Sequence, residues 1–179
     1  MCFARYAVSL LLLTFLAGCG DNLIPSGEDQ RPTVQAGTTG SGVGQHAPAF
    51  TVSDTEGRVV TLDSALAGKQ GIVLYFTMWC PSCDVQMSQL QGVIPTFPGV
   101  GFYLVDYVSG TLADAGASAL ADGYTGVGFA ILADTSHVLQ DGFQGTMGTT
   151  VVIDAAGVIR LNEDYRDGAR VNAVLAALP

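Results

Sequence analysis

The chain has 179 residues and a formal charge of −9, from 16 acidic and 7 basic residues. Hydrophobic residues make up 49% of it and charged residues only 13%, which is enough apolar material for one domain with a sizeable core plus accessory segments. The sequence shows no basic patch of the kind that nucleic-acid binders carry, so we expect no nucleic-acid partner.

The beginning of the chain has the pattern of a secretory signal. Arg5 precedes an apolar run from Ala7 to Ala17, which is shorter than the roughly 20 residues that a membrane-spanning helix needs. The run ends in Leu-Ala-Gly-Cys at Cys19. This ending resembles the bacterial lipoprotein cleavage box, in which the cysteine is lipidated and becomes the new N-terminus. We therefore predict a lipoprotein signal peptide at residues 1–18 and lipid attachment at Cys19; the alternative is an ordinary signal peptide with an incidental cysteine.

The residues after Cys19 bear on location. In lipoproteins of the common Gram-negative type, an Asp directly after the cysteine favours the inner membrane, whereas this chain has Gly20 there and Asp21 one place later. We therefore expect an extracytoplasmic protein, lipid-anchored on the periplasmic side, with the outer membrane favoured. Residues 19–44 are predicted to form the lipidated cysteine and a flexible tether, because they are rich in Gly, Ser, Thr, Pro and Gln. The domain is then expected at 45–179.

The domain region alternates strand and helix patterns. Apolar runs at 49–54 and 58–61 predict a hairpin, and Asp63 is expected to cap a short helix. The continuous apolar run at 72–76 predicts a central strand buried on both faces. The later elements are predicted as a helix from Cys80 to about 91–94, a strand at 100–105, a helix at 111–121, a strand at 129–132, an ambiguous segment at 137–143, a hairpin of strands at 149–153 and 158–161, and a helix at 171–178. This order predicts an α/β sandwich, with a mixed β-sheet flanked by helices.

Only two of the four cysteines, Cys80 and Cys83, lie in the predicted domain. A disulfide between them would close a four-residue loop, which constrains the unfolded chain little, so stability does not explain the pair. In an oxidising compartment an isolated Cys-x-x-Cys indicates a redox pair. A structural zinc site needs about four ligands, and the other candidates, His46 and His137, are isolated in the sequence. We therefore expect no metal.

The spacing of the two cysteines explains their expected chemistry. A buried strand that leads into a helix places Cys80 at the helix N-terminus, where free N–H groups and the helix dipole favour a thiolate. Pro81 suits the first helical turn, and Cys83 lies one turn further on the same face. Cys80 is thus expected to attack a substrate disulfide and Cys83 to resolve the mixed disulfide. Trp79 would shield the sulfurs, with plain core packing as the alternative.

The segment from Tyr75 to Cys83, which ends in Trp-Cys-Pro-Ser-Cys, resembles the active-site segment of the thioredoxin superfamily. Its nearest branches look like the TlpA-like thiol–disulfide oxidoreductases and the AhpC/TSA family, the redoxins, and the segments at 47–57 and 149–160 match those branches too. The resemblance runs from about residue 44 to 178. It implies a thioredoxin-like sandwich with a nucleophilic first cysteine and a resolving second one. The residues expected to support the active site are Thr77, Trp79, Pro81, Ser82, Gly148 and Thr149.

Three positions depart from the family patterns. Gly148 stands where the family usually has a cis-proline, so the backbone approach to substrate is kept but its conformational lock is lost. Leu74 replaces the buried acid of many thioredoxins, so removal of the proton from Cys83 must rely on another group. In the peroxiredoxin pattern Pro-x-x-x-Thr-x-x-Cys, Thr77 fits the threonine but Val73 replaces the proline.

Three functions remain open from the sequence. The favoured one is a monomeric thiol–disulfide oxidoreductase that reduces protein disulfides and is itself reduced by a membrane thiol donor, with the Cys80–Cys83 disulfide as its only redox group. The second is a thiol peroxidase that uses Cys80, for which Thr77 and the AhpC/TSA-like flanks argue. The third is a non-catalytic binder of copper or of a partner, for which Gly148 and the two histidines argue.

Four further polar residues are assigned positions from the pattern. His46 and His137 are expected at the surface. Asp106 follows a core strand and is expected to be a solvated strand-end acid, with a place at the active-site edge of the sheet as the alternative. Arg160 is expected to be exposed on the edge hairpin.

Overall fold

The structure is a computed structural model, and it describes residues 34–179. The predicted signal peptide at 1–18 and the predicted lipid attachment at Cys19 lie outside the described residues. Within 34–179, which form one compact unit, no helix combines the length and the apolar character needed to cross a membrane.

Strands and helices alternate along the described chain, as the sequence pattern predicts. The elements are β1 (Thr51–Asp54), β2 (Val59–Thr61), α1 (Leu62–Leu66), β3 (Gly71–Thr77), α2 (Pro81–Val93), β4 (Val100–Asp106), α3 (Leu112–Ala121), β5 (Ala130–Ala133), α4 (Val138–Phe143), β6 (Thr149–Asp154), β7 (Ile159–Asp164) and α5 (Ala169–Ala176). A short 3₁₀ turn, Ile94–Thr96, follows α2. The ambiguous segment at 137–143 is thus a helix, α4.

The strands form a seven-stranded mixed sheet in the order β2-β1-β5-β4-β3-β6-β7. Strands β3, β4 and β5 run parallel. Antiparallel pairs flank this core, with β6 and β7 at one edge and β1 and β2 at the other. The predicted mixed sheet flanked by helices is confirmed.

The central strand β3 separates two apolar cores and is buried along its whole length. One core contains Val73 and Tyr75 together with side chains of α2, α3 and α5. The other contains Leu74 and Phe76 together with side chains of α1 and α4. Burial on both faces explains why the strand is continuously apolar. The cysteine motif begins just after β3 ends at Thr77.

The cap of α1 differs from the prediction, which was wrong in assigning it to Asp63. Thr61 caps the helix: its Oγ1 accepts a hydrogen bond from the Ser64 N–H at 3.1 Å, and Ser64 Oγ accepts one from the Thr61 N–H at 2.8 Å. This reciprocal capping box satisfies two backbone donors at the start of the helix, one through each side chain. Asp63 lies instead in the first turn of the helix.

The last part of the predicted tether, residues 19–44, lies against the outer edge of β7. The Gly44 N–H donates to the Ile159 carbonyl at 2.9 Å, and the Ile159 N–H donates back to the carbonyl of residue 45 at 2.9 Å. The Asn162 side-chain amide also donates to the Ser41 carbonyl at 2.8 Å. Composition alone does not reveal this, because the partners of the segment are about 115–120 residues further along the chain. The part of the tether before residue 34 lies outside the described range.

Candidate active site

Cys80 is the N-cap residue of α2. Its backbone is extended, with φ of −95° and ψ of 161°, and its Sγ accepts a hydrogen bond from the Cys83 N–H at 3.1 Å. Pro81 occupies the first helical turn, where its missing N–H removes no helical hydrogen bond. A free backbone N–H of the helix therefore points at the Cys80 sulfur, as stabilisation of a thiolate requires.

The two cysteines are joined by a disulfide, with their Cα atoms 5.0 Å apart. Cys83 is completely buried among the side chains under α2, whereas Cys80 is partly buried at the surface of the same core. A reaction partner can therefore reach the sulfur of Cys80 but not that of Cys83. This difference in burial fits the predicted roles of an attacking first cysteine and a resolving second one.

Trp79 adopts a backbone conformation that is unusual for a large side chain, with φ of +57°. Two hydrogen bonds hold it there. Its backbone N–H donates to Thr77 Oγ1 at 3.0 Å, and its indole Nε1 donates to Asp106 Oδ2 at 2.7 Å. Because left-handed backbone costs an L-residue about 1–2 kcal/mol, these contacts offset a strain stored next to Cys80.

Asp106 is a buried member of this site, so the prediction of a solvated strand-end acid was wrong. Its side chain is fully buried and accepts hydrogen bonds from the Val108 N–H at 3.0 Å, the Ser109 N–H at 2.9 Å and Ser109 Oγ at 2.6 Å, besides the Trp79 indole. Asp106 pairs with Thr77 in the register of β4 on β3, which brings it to the active-site edge of the sheet. Local donors and the indole replace water around it.

Gly148 lies beside the site in a loop that hydrogen bonds fix from both sides. Its φ is +83°, a value that glycine adopts without steric cost. Its N–H donates to the Phe76 carbonyl at 2.9 Å, and its carbonyl accepts from the Tyr165 N–H at 2.7 Å. Thr149 Oγ1 accepts from the Thr146 N–H at 3.0 Å, which closes the loop on itself. Hydrogen bonds thus fix the conformation of this loop without a proline at residue 148.

Gln86 occupies the space beside Gly148. A Cβ added at Gly148 would lie 3.0 Å from Gln86 Oε1. That oxygen accepts a hydrogen bond from the Tyr75 hydroxyl at 2.5 Å. Burial raises the pKa of Tyr75, and nearby Tyr165 raises it further, so the hydroxyl stays protonated and able to donate. The sequence analysis missed Gln86; the signal that could have found it is the polar hydroxyl of Tyr75 within an apolar strand.

Met147 is a second residue that the sequence analysis missed. Its Sδ lies 3.4 Å from Cys80 Sγ, although the two residues are 67 positions apart. The side chain is 45% exposed. Its position directly before Gly148 is the signal that could have found it, since the resemblance places Gly148 opposite the cysteines.

The remaining candidate residues lie further from the sulfurs or at the surface. Pro81 and Ser82 are exposed on the first turn of α2, and His46 and His137 are exposed elsewhere on the domain. In the described part of the chain, no three His, Cys, Asp or Glu side chains are grouped so that they could hold a metal ion. Neither histidine therefore joins the cysteines in such a group. Arg160 is half-exposed, as predicted, and pairs with buried Asp154 at 2.6 Å.

Comparison with known proteins decides the family. The model of the AhpC/TSA family matches residues 43–162, which is more than half of the chain. The chain belongs to the AhpC/TSA family. The match covers the cysteine motif, the Gly148 loop and most of β7, so the predicted family is confirmed. No curated protein matches the chain.

Several solved structures share the fold of this AhpC/TSA protein. A secreted disulfide oxidoreductase of Mycobacterium tuberculosis, described as homologous to E. coli DsbE, is 20% identical, with a TM-score of 0.55, and the match covers 72% of this chain and 96% of that one. Peroxidoxin BcpB from Mycobacterium tuberculosis is 19% identical, with a TM-score of 0.59 and coverage of 76% and 95%. A thioredoxin-like protein from Aeropyrum pernix is 15% identical, with a TM-score of 0.60 and coverage of 72% and 89%. These likenesses show the fold, and the predicted thioredoxin-like sandwich is confirmed.

Proposed function

We propose that this AhpC/TSA protein is a thiol–disulfide oxidoreductase that reduces protein disulfides outside the cytoplasm. The observation that supports this most is the pairing of a reachable sulfur with a buried one. Cys80 caps α2 at the surface of the core, and Cys83 lies one turn behind it, already bonded to it. A structural disulfide gains nothing from this arrangement, because its loop is too short to constrain the unfolded chain appreciably.

The helix start favours ionisation of Cys80. In the reduced protein, the Cys83 N–H that faces Cys80 Sγ and the dipole of α2 both stabilise negative charge on that sulfur. The thiolate is the reactive form of cysteine, so Cys80 would be nucleophilic at a pH at which a free cysteine is mostly protonated.

The reaction then takes two exchanges. The Cys80 thiolate attacks one sulfur of a substrate disulfide, which forms a mixed disulfide and releases the other substrate sulfur as a thiolate that takes up a proton. Cys83 loses its proton and attacks Cys80 Sγ, which releases the second substrate sulfur and forms the Cys80–Cys83 disulfide. Two electrons pass to the substrate, and a thiol donor must return two to the pair.

The location and the donor are part of the proposal. The predicted signal peptide and lipid attachment at Cys19 support an anchored protein on the periplasmic side of a bacterial membrane, and one structural neighbour is described as secreted. A membrane thiol protein is the natural electron donor for an anchored, monomeric reductase. The outer membrane remains the favoured site, because Gly20 rather than an aspartate follows Cys19.

Substitution of each cysteine tests the mechanism. In the full chain, kept in detergent with Cys2→Ser and Cys19→Ser so that two thiols remain, Cys80→Ser is expected to abolish the reduction of a model protein disulfide. Cys83→Ser is expected to retain the attack but to accumulate the mixed disulfide, seen as a mass increase. A Cys80→Ser protein that reduces the substrate at the unsubstituted rate would contradict the proposal.

The direction of electron flow follows from the reduction potential of the pair. Thiol alkylation in glutathione or dithiothreitol buffers measures it. A reductant is expected to have a potential near or below about −200 mV, whereas a disulfide-forming oxidant would lie near −120 mV. The latter value would contradict the reducing role and leave the exchange chemistry in place.

A thiol peroxidase that uses Cys80 is the second candidate, because the family is AhpC/TSA and peroxidoxin BcpB shares the fold. Thr77, the residue that fits the peroxiredoxin pattern, is fully buried, and its hydroxyl accepts the Trp79 N–H. Rapid consumption of hydrogen peroxide with sulfenate trapped at Cys80 would favour this function. Oxidation no faster than that of a free thiol would exclude it.

A further inference from the structure

Three sulfur atoms come together at the N-terminus of α2. The sulfurs of Cys80 and Cys83 are bonded to each other, and Met147 Sδ lies 3.4 Å from Cys80 Sγ. We propose that the reduced protein binds one Cu(I) ion through the two cysteine thiolates and the Met147 thioether. This site does not rest on the proposed reductase function, although it uses the same cysteines.

The backbone that carries the third donor is held in place before any metal arrives. Met147 lies between Thr146 and Gly148, and the Gly148 N–H is bonded to the Phe76 carbonyl at the end of β3. Thr149 secures the other side, because its N–H donates to the Thr146 carbonyl at 3.0 Å and its Oγ1 accepts the Thr146 N–H at 3.0 Å. The backbone of Met147 is therefore fixed relative to the end of β3, from which α2 and both cysteines start. Only the Met147 side chain, which is 45% exposed, then remains to be ordered on binding.

The donor set selects the metal. Thiolate and thioether sulfur are soft ligands that favour Cu(I). Structural zinc takes about four nitrogen, sulfur or carboxylate ligands, and iron–sulfur clusters take about four cysteines. Residues 34–179 offer no grouped set of three His, Cys, Asp or Glu side chains, so no third donor of those types lies beside the two cysteines. A three-sulfur site suits Cu(I). The copper binder that the sequence left open was argued from Gly148 and the two histidines, and it did not include Met147.

The exposure of the donors allows entry from solvent. Cys80 is partly buried and Met147 is 45% exposed, while Cys83 closes the inner side of the site. Binding replaces the protons of the cysteine thiols, which pass to solvent, and no electron is transferred, so the ion enters and stays as Cu(I). The disulfide form has no thiolates to offer. Cu(I) and the Cys80–Cys83 disulfide therefore exclude each other, and the bound ion is expected to block thiol–disulfide exchange.

Methionine variants of the reduced protein test the site. The protein is the full chain in detergent with Cys2→Ser and Cys19→Ser, and Cu(I) is titrated against the chromophoric chelator bicinchoninate under argon. Met147→Leu is expected to weaken Cu(I) binding by at least about tenfold, since the loss of even an outer-shell partner costs a metal site 10–100-fold. Met78→Leu is the matched control, because Met78 is 43% exposed and directly precedes Trp79. It is expected to leave the affinity unchanged.

X-ray absorption at the copper edge supplies a readout that altered packing would not produce. The unsubstituted protein is expected to show three Cu–S contacts and Met147→Leu two. A two-sulfur site in the unsubstituted protein, or equal affinities for Met147→Leu and Met78→Leu, would overturn the proposal. Exchange activity is measured separately on the metal-free protein. A protein that binds Cu(I) through three sulfurs but exchanges no disulfides would refute the proposed function and leave this site standing, and the opposite result would do the reverse.

Discussion

At the scale of single residues, the site combines one strained backbone position with one that is unusually permissive. Trp79, with φ of +57°, is held by Thr77 and Asp106, and Gly148, with φ of +83°, is held by backbone hydrogen bonds. Trp79 directly precedes Cys80, and Gly148 directly follows Met147, whose sulfur lies 3.4 Å from that of Cys80. Strain at Trp79 is therefore offset by buried hydrogen bonds, whereas at Gly148 the absence of a side chain avoids it.

Replacement of Gly148 by alanine is expected to destabilise the fold through two separate effects. A Cβ at a left-handed backbone position costs about 1–2 kcal/mol, and here it would also press on Gln86 Oε1, which the Tyr75 hydroxyl holds in place. Gly157→Ala is the matched control, because Gly157 has φ of +77° but no atom within 4 Å of the added Cβ. Urea unfolding should show the larger loss of unfolding free energy for Gly148→Ala.

Equal losses for the two variants would show that Gln86 yields freely and that crowding has no role at Gly148. A disproportionate fall in disulfide-exchange rate for Gly148→Ala, beyond the loss in Gly157→Ala, would place the backbone geometry of this loop in the reaction.

Sequence reasoning reached the residues whose roles follow from local spacing. The positions of Cys80, Pro81 and Cys83 follow from a buried strand that leads into a helix. The Trp79–Asp106 hydrogen bond joins residues 27 positions apart, and Asp106 looks like any other acid at the end of a strand. Only the register of β4 on β3 shows that its carboxylate faces the indole, and register is not readable from one sequence.

At the scale of elements, the two edge hairpins share one turn construction. Asp54 ends β1 and accepts the N–H groups of residues 56 and 58, at 2.9 Å each, while its other oxygen meets the Arg58 side chain at 2.7 Å. Asp154 ends β6 and accepts those of residues 156 and 158, at 2.9 Å each, and meets Arg160. A glycine with positive φ follows three positions after each aspartate. One carboxylate thus satisfies the turn backbone of each hairpin.

The turn at Asp54 predicts a specific acid sensitivity. Burial raises the pKa of Asp54, but hydrogen bonds from the Arg58 side chain and from the backbone N–H groups of Arg58 and Glu56 outweigh burial and hold the pKa below its usual value of 3.8. A lowered folded-state pKa contributes stability that is present above the unfolded pKa and is lost as the pH falls through the folded one. The free energy of unfolding should therefore lose this contribution below about pH 4.

Asp54→Asn isolates that contribution. The difference in unfolding free energy between the unsubstituted protein and Asp54→Asn is expected to be largest near neutral pH and to shrink as the pH falls below about 4. Asp63→Asn, which replaces an exposed carboxylate in the first turn of α1, is the control for a general charge effect. A difference for Asp54→Asn that stays constant from pH 7 to pH 2 would contradict this account of the turn.

Periodicity predicts elements well where one face or both faces are buried, and less well elsewhere. The run at 72–76 predicts β3 because burial on both faces leaves no polar position. Val85 fits the apolar spacing of α2 yet is 58% exposed, because that side of the helix has no partner in the domain. The cap of α1 was misassigned since Thr61 and Asp63 are both good capping residues, and only the backbone geometry distinguishes them.

At the scale of the whole molecule, the sheet places Cys80 and Cys83 just after the end of its central strand, β3. Its edge strands are β2 and β7. Helices cover both faces of the sheet because successive side chains of β3 point to opposite faces, and each face packs against a separate apolar core. Composition predicts one domain with a sizeable core, since nearly half of the chain is hydrophobic, and the order of the elements predicts the sandwich. It does not predict that residues 37–46 lie on β7, because a segment rich in small polar residues pairs through its backbone.

Residues 37–46 cover the edge strand β7, which would otherwise be open to other chains. The N–H and carbonyl groups at the start of β7 face the Gly44–His46 stretch, which uses them for hydrogen bonds. An open edge is a template for strand addition by another chain. Gly44→Pro removes the N–H that meets the Ile159 carbonyl, so it is expected to raise the rate of aggregation measured by light scattering. Gly37→Pro is the control, because Gly37 shares a positive φ that proline cannot adopt (+80° against +87°), while its N–H bonds only within the segment. If both variants aggregate equally, the Gly44 N–H contact with Ile159 does not protect the edge. If only Gly44→Pro aggregates faster, the sequence just before the domain keeps neighbouring copies from joining their sheets.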